Sequence, residues 1–83
     1  MRVVVYRKEG CHLCEDVIAA LERISMEKHL EVSSQDITGN RELFERYKNM
    51  IPVVEINGKI RLAGSVLSSS HTVEQVLRKA LSL

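Results

Sequence analysis

Two cysteines, Cys11 and Cys14, stand in the stretch "GCHLCE", separated by His12 and Leu13, and the chain has no others. A pair at this spacing can exchange electrons, hold a metal or fill space. On a helix, residues three apart share one turn, so the two sulfurs lie within reach of an intramolecular disulfide. In a reducing compartment a lone pair reads as catalytic or metal-binding rather than as a structural staple. A structural zinc site normally needs four ligands. Only His12, His29 and His71 could supplement the cysteines, and they are scattered along the chain. Zinc or an iron–sulfur cluster shared across a dimer remains the metal alternative.

Thiol chemistry depends on the thiolate, which a helix N-terminus favours through unpaired N–H groups and the positive end of the dipole. Around the pair, Arg7, Lys8 and a protonated His12 favour the anion, whereas Glu9, Glu15 and Asp16 oppose it. The dipole acts at the shortest range, so a depressed Cys11 pKa is expected.

The surrounding elements must put Cys11 at such a helix start. "RVVVY", residues 2 to 6, is β-branched and almost continuously apolar, the pattern of a strand buried on both faces. From Leu13 to about Lys28, Leu13, Val17, Ala20, Leu21 and Ile24 recur at helical spacing, with Glu15 and Asp16 in the first turn and Lys28 and His29 in the last. "LEVSSQDI" reads as a second strand, "TGN" as a turn with a possible N-cap, and "RELFERYKNM" as a short helix with a Glu42–Arg46 pair. A strand over residues 53 to 56, the turn Asn57-Gly58 and a return strand over 60 to 63 make a hairpin, because both turn residues tolerate positive φ. "HTVEQVLRKALSL" closes the chain as a helix with Val73, Val76, Leu77 and Ala80 on one face and Ser69, Ser70 or Thr72 as its cap. The order β-α-β-α-β-β-α predicts an α/β fold: a parallel pair with a right-handed crossover, then an antiparallel hairpin, in a four-stranded mixed sheet flanked by helices.

Composition narrows the rest. Eighty-three residues suit one domain spanning 1–83, and 45% apolar residues suit a globular one. A formal net charge of +1 without a basic stripe argues against nucleic acid. The run Val3-Val4-Val5-Tyr6 falls far short of the ~20 apolar residues of a membrane span, and no signal-peptide pattern is visible, so the cytoplasm is the expected location.

Pro52, the single proline, lacks an N–H and belongs at a strand start or edge; on its own it would simply open the third strand through a trans bond. Together, the element order, the CxxC at the tip of the first strand and Ile51-Pro52 opening the third strand resemble the thioredoxin fold. The short form, with "VVVYRKEGCHLC", "DITGN", "IPVVEINGK" and a final helix covering nearly the whole chain, is similar to glutaredoxins and glutaredoxin-like proteins. The resemblance implies a thiol–disulfide oxidoreductase, with Cys11 the exposed nucleophile and Cys14 the buried resolving thiol. It implies a cis Pro52 against the pair, strand-like hydrogen bonds from the Ile51 backbone to substrate, and Lys8 where glutaredoxins bind the glycine carboxylate of glutathione. His12 would tune the thiolate. Gly64 stands in the segment where glutaredoxins carry two glycines and acidic residues for the glutathione ends; here "AGSVLSSS" has one glycine and no Asp or Glu. His12-Leu13 likewise replaces the usual Pro-Tyr.

The expected partners are a disulfide-bearing protein or small molecule and a reductant, either glutathione as co-substrate or a thioredoxin-reductase-type protein. No tightly bound cofactor or metal is expected, and the chain is expected to be a monomer. Two alternatives stand beside this reading. One is a soft-metal carrier like the heavy-metal-associated domains, whose Met-x-Cys-x-x-Cys is matched here by Glu9 in place of Met. The other is a binding module without turnover. The plainer roles are surface charge for Lys8, packing for Met26 and Met50, core or rim for Tyr6 and Tyr47, and helix ends for His29 and His71. The serines 68 to 70 suit loop and cap.

Overall fold

The computed structural model describes residues 1–68 and 72–82. Four strands run β1 (Arg2–Arg7), β2 (Glu31–Asp36), β3 (Val53–Ile56) and β4 (Lys59–Leu62), in the spatial order β2-β1-β3-β4. β1 and β2 are parallel, from Arg2 opposite Glu31 to Arg7 opposite Asp36. β3 runs antiparallel to β1, with Tyr6 opposite Val53, and forms a hairpin with β4. Asn57 and Gly58 turn that hairpin with φ of 50° and 85°, the backbone a tight turn needs and Asn-Gly tolerates. The α/β fold with its four-stranded mixed sheet is the one the sequence predicts.

The helices are α1 (His12–Ser25), α2 (Arg41–Tyr47), α3 (Gly64–Ser68) and α4 (Val73–Ala80), with a 3-10 turn over Ile37–Gly39. α1 buries Val17, Ala20, Leu21 and Ile24 completely, against β1, β3 and α4. It stops three residues short of the predicted Lys28 because Ile24 is its last buried residue; Met26 caps it and is 87% exposed. Packing for Met26 is therefore wrong, and Lys28 and His29 lie past the helix rather than in its last turn, where the basic residue is Arg23. α2 starts at Asn40, whose Oδ1 accepts the Leu43 N–H at 3.0 Å, a conventional N-cap. It ends at the buried Tyr47, so Lys48, Asn49 and Met50 form a turn instead of the expected helical end.

One element has no counterpart in the sequence reading: α3, whose five residues are too few to show a period. Thr72 is the cap of α4, accepting from the Gln75 N–H at 3.1 Å; Ser69, Ser70 and His71 lie outside the described residues. α1 and α4 cover one face of the sheet, and α2 covers part of the other.

Candidate active site

The strand register gathers the predicted site at one end of the sheet. β1 leaves the sheet at Arg7, and Tyr6 opposite Val53 puts Pro52 at that same end. Val54 opposite Leu62 brings the chain after β4, with Gly64, there as well. Ligand sites in such sheets favour the carboxyl ends of the parallel strands.

From Arg7 the chain turns through Lys8 and Glu9 to Gly10, whose φ of +83° an L side chain rarely adopts. The Cys11 N–H donates to the Lys8 carbonyl at 3.4 Å, closing that turn. Cys11 is the N-cap of α1: its backbone is extended, and its Sγ accepts the Cys14 N–H at 3.1 Å. Cys11 and Cys14 are joined as a disulfide, Cα to Cα 5.2 Å. Cys14 is fully buried and Cys11 half-buried, so an approaching molecule meets Cys11 first. On reduction, a Cys11 thiolate would occupy the place where that N–H and the helix dipole favour negative charge.

The flanking charges are less concentrated than their sequence positions suggest. His12 is 97% exposed and faces Glu15, Nδ1 to Oε1 3.6 Å, a pair only when the imidazole is protonated. Lys8 is exposed beside the loop. Arg7 leans electrostatically on Asp36, whose carboxyl is held low chiefly by the Thr38 hydroxyl and N–H.

Across the end of the sheet the Ile51–Pro52 bond is cis, the isomer the resemblance implies. Pro52 is fully buried, while Ile51 is half-buried and packs with Ile37, Tyr47 and Val53. Gly64 is buried, and its N–H donates to the Met50 carbonyl at 2.8 Å. That N–H is thereby engaged within the chain rather than turned to a ligand. The structure thus collects Lys8, Cys11, His12, Cys14, Ile51, Pro52 and Gly64 at one end. Met50 and α3 were not picked out as site elements; the one available signal was the lone glycine just after the fourth strand.

Among the described residues, no three His, Cys, Asp or Glu side chains gather where they could hold a metal ion. No helix there is long and apolar enough to cross a membrane. A groove of about 510 Å³ lies away from the cysteines, between α1 and the start of α4. Its Arg23, Glu74 and Arg78 are engaged with one another, so it offers few free polar groups.

Comparison with known families decides the kinship: the profile of the glutaredoxin-like domain (DUF836) matches residues 2–82. The chain belongs to that family. This glutaredoxin-like domain is similar to a protein of Nitrosomonas europaea solved by solution NMR, at 36% identity over 75% of each chain and a TM-score of 0.66. It also resembles an X-ray structure of a protein from X. campestris, at 22% identity over 96% of this chain and 95% of that one, TM-score 0.70; that likeness speaks for the fold. No curated protein matches. Membership and the CxxC spacing support thioredoxin-like redox function at the level of the family.

Proposed function

We propose that this glutaredoxin-like domain is a dithiol–disulfide oxidoreductase. The observation that carries the reading is the N-cap geometry: the Sγ of Cys11, a residue only half-buried, accepts the N–H of a Cys14 that is itself fully buried. An attacking thiolate needs exposure and a stabilised charge; a resolving thiol needs proximity and shelter from competing reactions.

In the reaction the Cys11 thiolate attacks one sulfur of a substrate disulfide. A mixed disulfide forms, and the other substrate sulfur leaves as a thiolate that takes a proton from solvent. Cys14 then gives up its proton and attacks Cys11 Sγ, releasing the second substrate thiolate. Two electrons have passed to the substrate, and the 11–14 disulfide remains. Two glutathione thiols, or a reductase-type dithiol, return them. Ile51 and Pro52 would receive the substrate beside the cysteines, with Lys8 and His12 at the rim. The segment after β4 offers no carboxylate for glutathione, which favours a protein donor and a protein disulfide as substrate, and a reducing compartment such as the cytoplasm.

The test is a disulfide-reduction assay on wild type, Cys11→Ser and Cys14→Ser, coupled either to glutathione with its reductase or to thioredoxin reductase. Cys11→Ser should abolish turnover, and Cys14→Ser should trap mixed disulfides or leave only glutathione-dependent single-thiol activity. Full activity in Cys11→Ser sinks the proposal. Stoichiometric Zn(II) or Cu(I) binding without turnover would replace it with a carrier role.

A further inference from the structure

The domain has four glycines, and three of them have open space where a side chain would stand: nothing lies within 4 Å of a Cβ at Gly10, Gly39 or Gly58. Gly64 is different. A Cβ there would sit 3.0 Å from the Ile51 carbonyl carbon, 3.2 Å from the Met50 carbonyl oxygen and closer still to the Ile51 oxygen. All three are backbone atoms, which cannot swing aside as a flexible side chain can. The requirement is for space, since Gly64 is not among the residues of positive φ.

We infer that Gly64 is the positioning residue of the site: by carrying no side chain it lets α3 lie directly on Met50 and Ile51, and this contact sets where the Ile51–Pro52 segment faces Cys11. The Gly64 N–H donates to the Met50 carbonyl at 2.8 Å and so fastens the same contact. Neighbouring anchors leave little room to adjust. Leu67 roots α3 in the main core, while Tyr47 and Val53, both buried, pin the chain on either side of Met50–Pro52. A methyl at position 64 must therefore push the carbonyls of Met50 and Ile51 away from α3. Cys11 is untouched by that push, because its sulfur is set by α1 and the Cys14 N–H. The inference rests on the proposed oxidoreductase reading and adds to it a division of labour. The helix start governs thiol reactivity, and the Gly64 contact governs the fit of an extended substrate on the opposite wall.

The experiment compares wild type, Gly64→Ala and, as control, Gly39→Ala in the full chain. Three rates are measured on reduced protein: Cys11 alkylation by iodoacetamide across pH, reduction of hydroxyethyl disulfide, and reduction of a disulfide-linked peptide dimer. For Gly64→Ala the alkylation profile should be unchanged and the small disulfide should react within about twofold of wild type. The peptide disulfide should slow by about tenfold or more, the scale of a reacting partner misplaced by a fraction of an ångström to an ångström. Gly39→Ala should match wild type throughout. An unchanged peptide rate in folded Gly64→Ala overturns the inference, as does an equal fall in all three rates, which would make Gly64 a general support. A wild type that alkylates normally yet reduces neither disulfide overturns the oxidoreductase reading itself, a result distinct from either. Amide exchange on wild type tests the contact whether or not the variant folds: the Gly64 N–H must be protected, and free exchange there overturns the inference.

Discussion

The two faces of the sheet are built to different depths. Among the described residues, twelve buried side chains from β1, β3, β4, α1, α3, α4 and the Leu81 cap of α4 make the core on the α1 side, all of them aliphatic. On the α2 side three are buried, Ile37, Tyr47 and Val53, with Tyr6, Leu43, Phe44 and Ile51 half-covered around them. The shallow side also carries a polar handle. Tyr6 stacks on Tyr47 at 4.8 Å between ring centres and reaches Glu55 with its hydroxyl at 3.4 Å. Partial burial, then the Glu55 charge, raises the Tyr6 pKa. The site straddles this difference: the cysteines ride on the helix over the deep core, whereas Ile51 packs into the shallow one and lies against Gly64. Thiol chemistry should therefore rest on the thicker core, and the receiving wall on the thinner one and on its contact with Gly64.

The strongest way to break that comparison is in the deep layer. Leu21 is fully buried at the centre of α1's inner face. Leu21→Ala should cost about 2–5 kcal/mol, from lost burial and the cavity left behind. Urea unfolding of the reduced protein measures it, and under conditions where the variant stays folded the Cys11 alkylation rate should hold. A loss below about 1 kcal/mol would mean this layer carries far less of the fold than a packed core should.

A smaller change sharpens the other side. Ile37→Val removes one methylene beneath Tyr47 and Val53 and should cost about 1 kcal/mol. The informative readout is where the loosening appears. Amide exchange should quicken at Met50 and Val53 while the amides of α1 keep their protection, since sub-global opening follows local packing. Equal quickening in α1 would show that the two faces open as one unit and that the distinction has no dynamic content.

Which parts of this could be read from the sequence follows from the range of each signal. The strands, α1 and the Asn57-Gly58 hairpin rest on local periodicity and turn chemistry, and they appear within a few residues of their predicted limits. Element ends were missed where burial, not propensity, sets them: α1 ends one residue past Ile24 and α2 at Tyr47, because Met26 to His29 and Lys48 to Met50, which follow, are exposed. The cysteine pair was legible, since both its spacing and its place before a helix are local. The role of Gly64 was not. Its meaning depends on Met50 and Ile51, brought close by a hairpin, and a glycine needed for space leaves the same letter as a glycine needed for a turn.

The smallest predicted effect concerns how α4 is fastened over the deep face. Glu74 receives Arg23 Nε at 2.9 Å and Arg78 at 3.3 Å, and Arg78 also reaches Glu27, so α1 and α4 are joined by a four-residue ionic cluster. Hydrogen bonding from Arg23 first, and from Arg78 after it, holds the Glu74 carboxyl below its ordinary pKa. A carboxyl depressed on folding stabilises the fold above its unfolded pKa, and the gain disappears as pH falls through the folded value. The cluster should thus contribute fully at neutral pH and fade on acidification below the usual glutamate range. These side chains are partly in water, so the effect should be slight and should shrink with salt. Thermal unfolding of wild type and Glu74→Gln along an acid series isolates it, because Asp36 titrates in the same direction in both proteins and cancels in the difference. The two curves should converge as acid protonates Glu74, and at neutral pH added salt should bring them together too. A gap that survives both treatments would assign the Glu74 contribution to packing at the α1–α4 contact, leaving the deep face with no electrostatic fastening of its own.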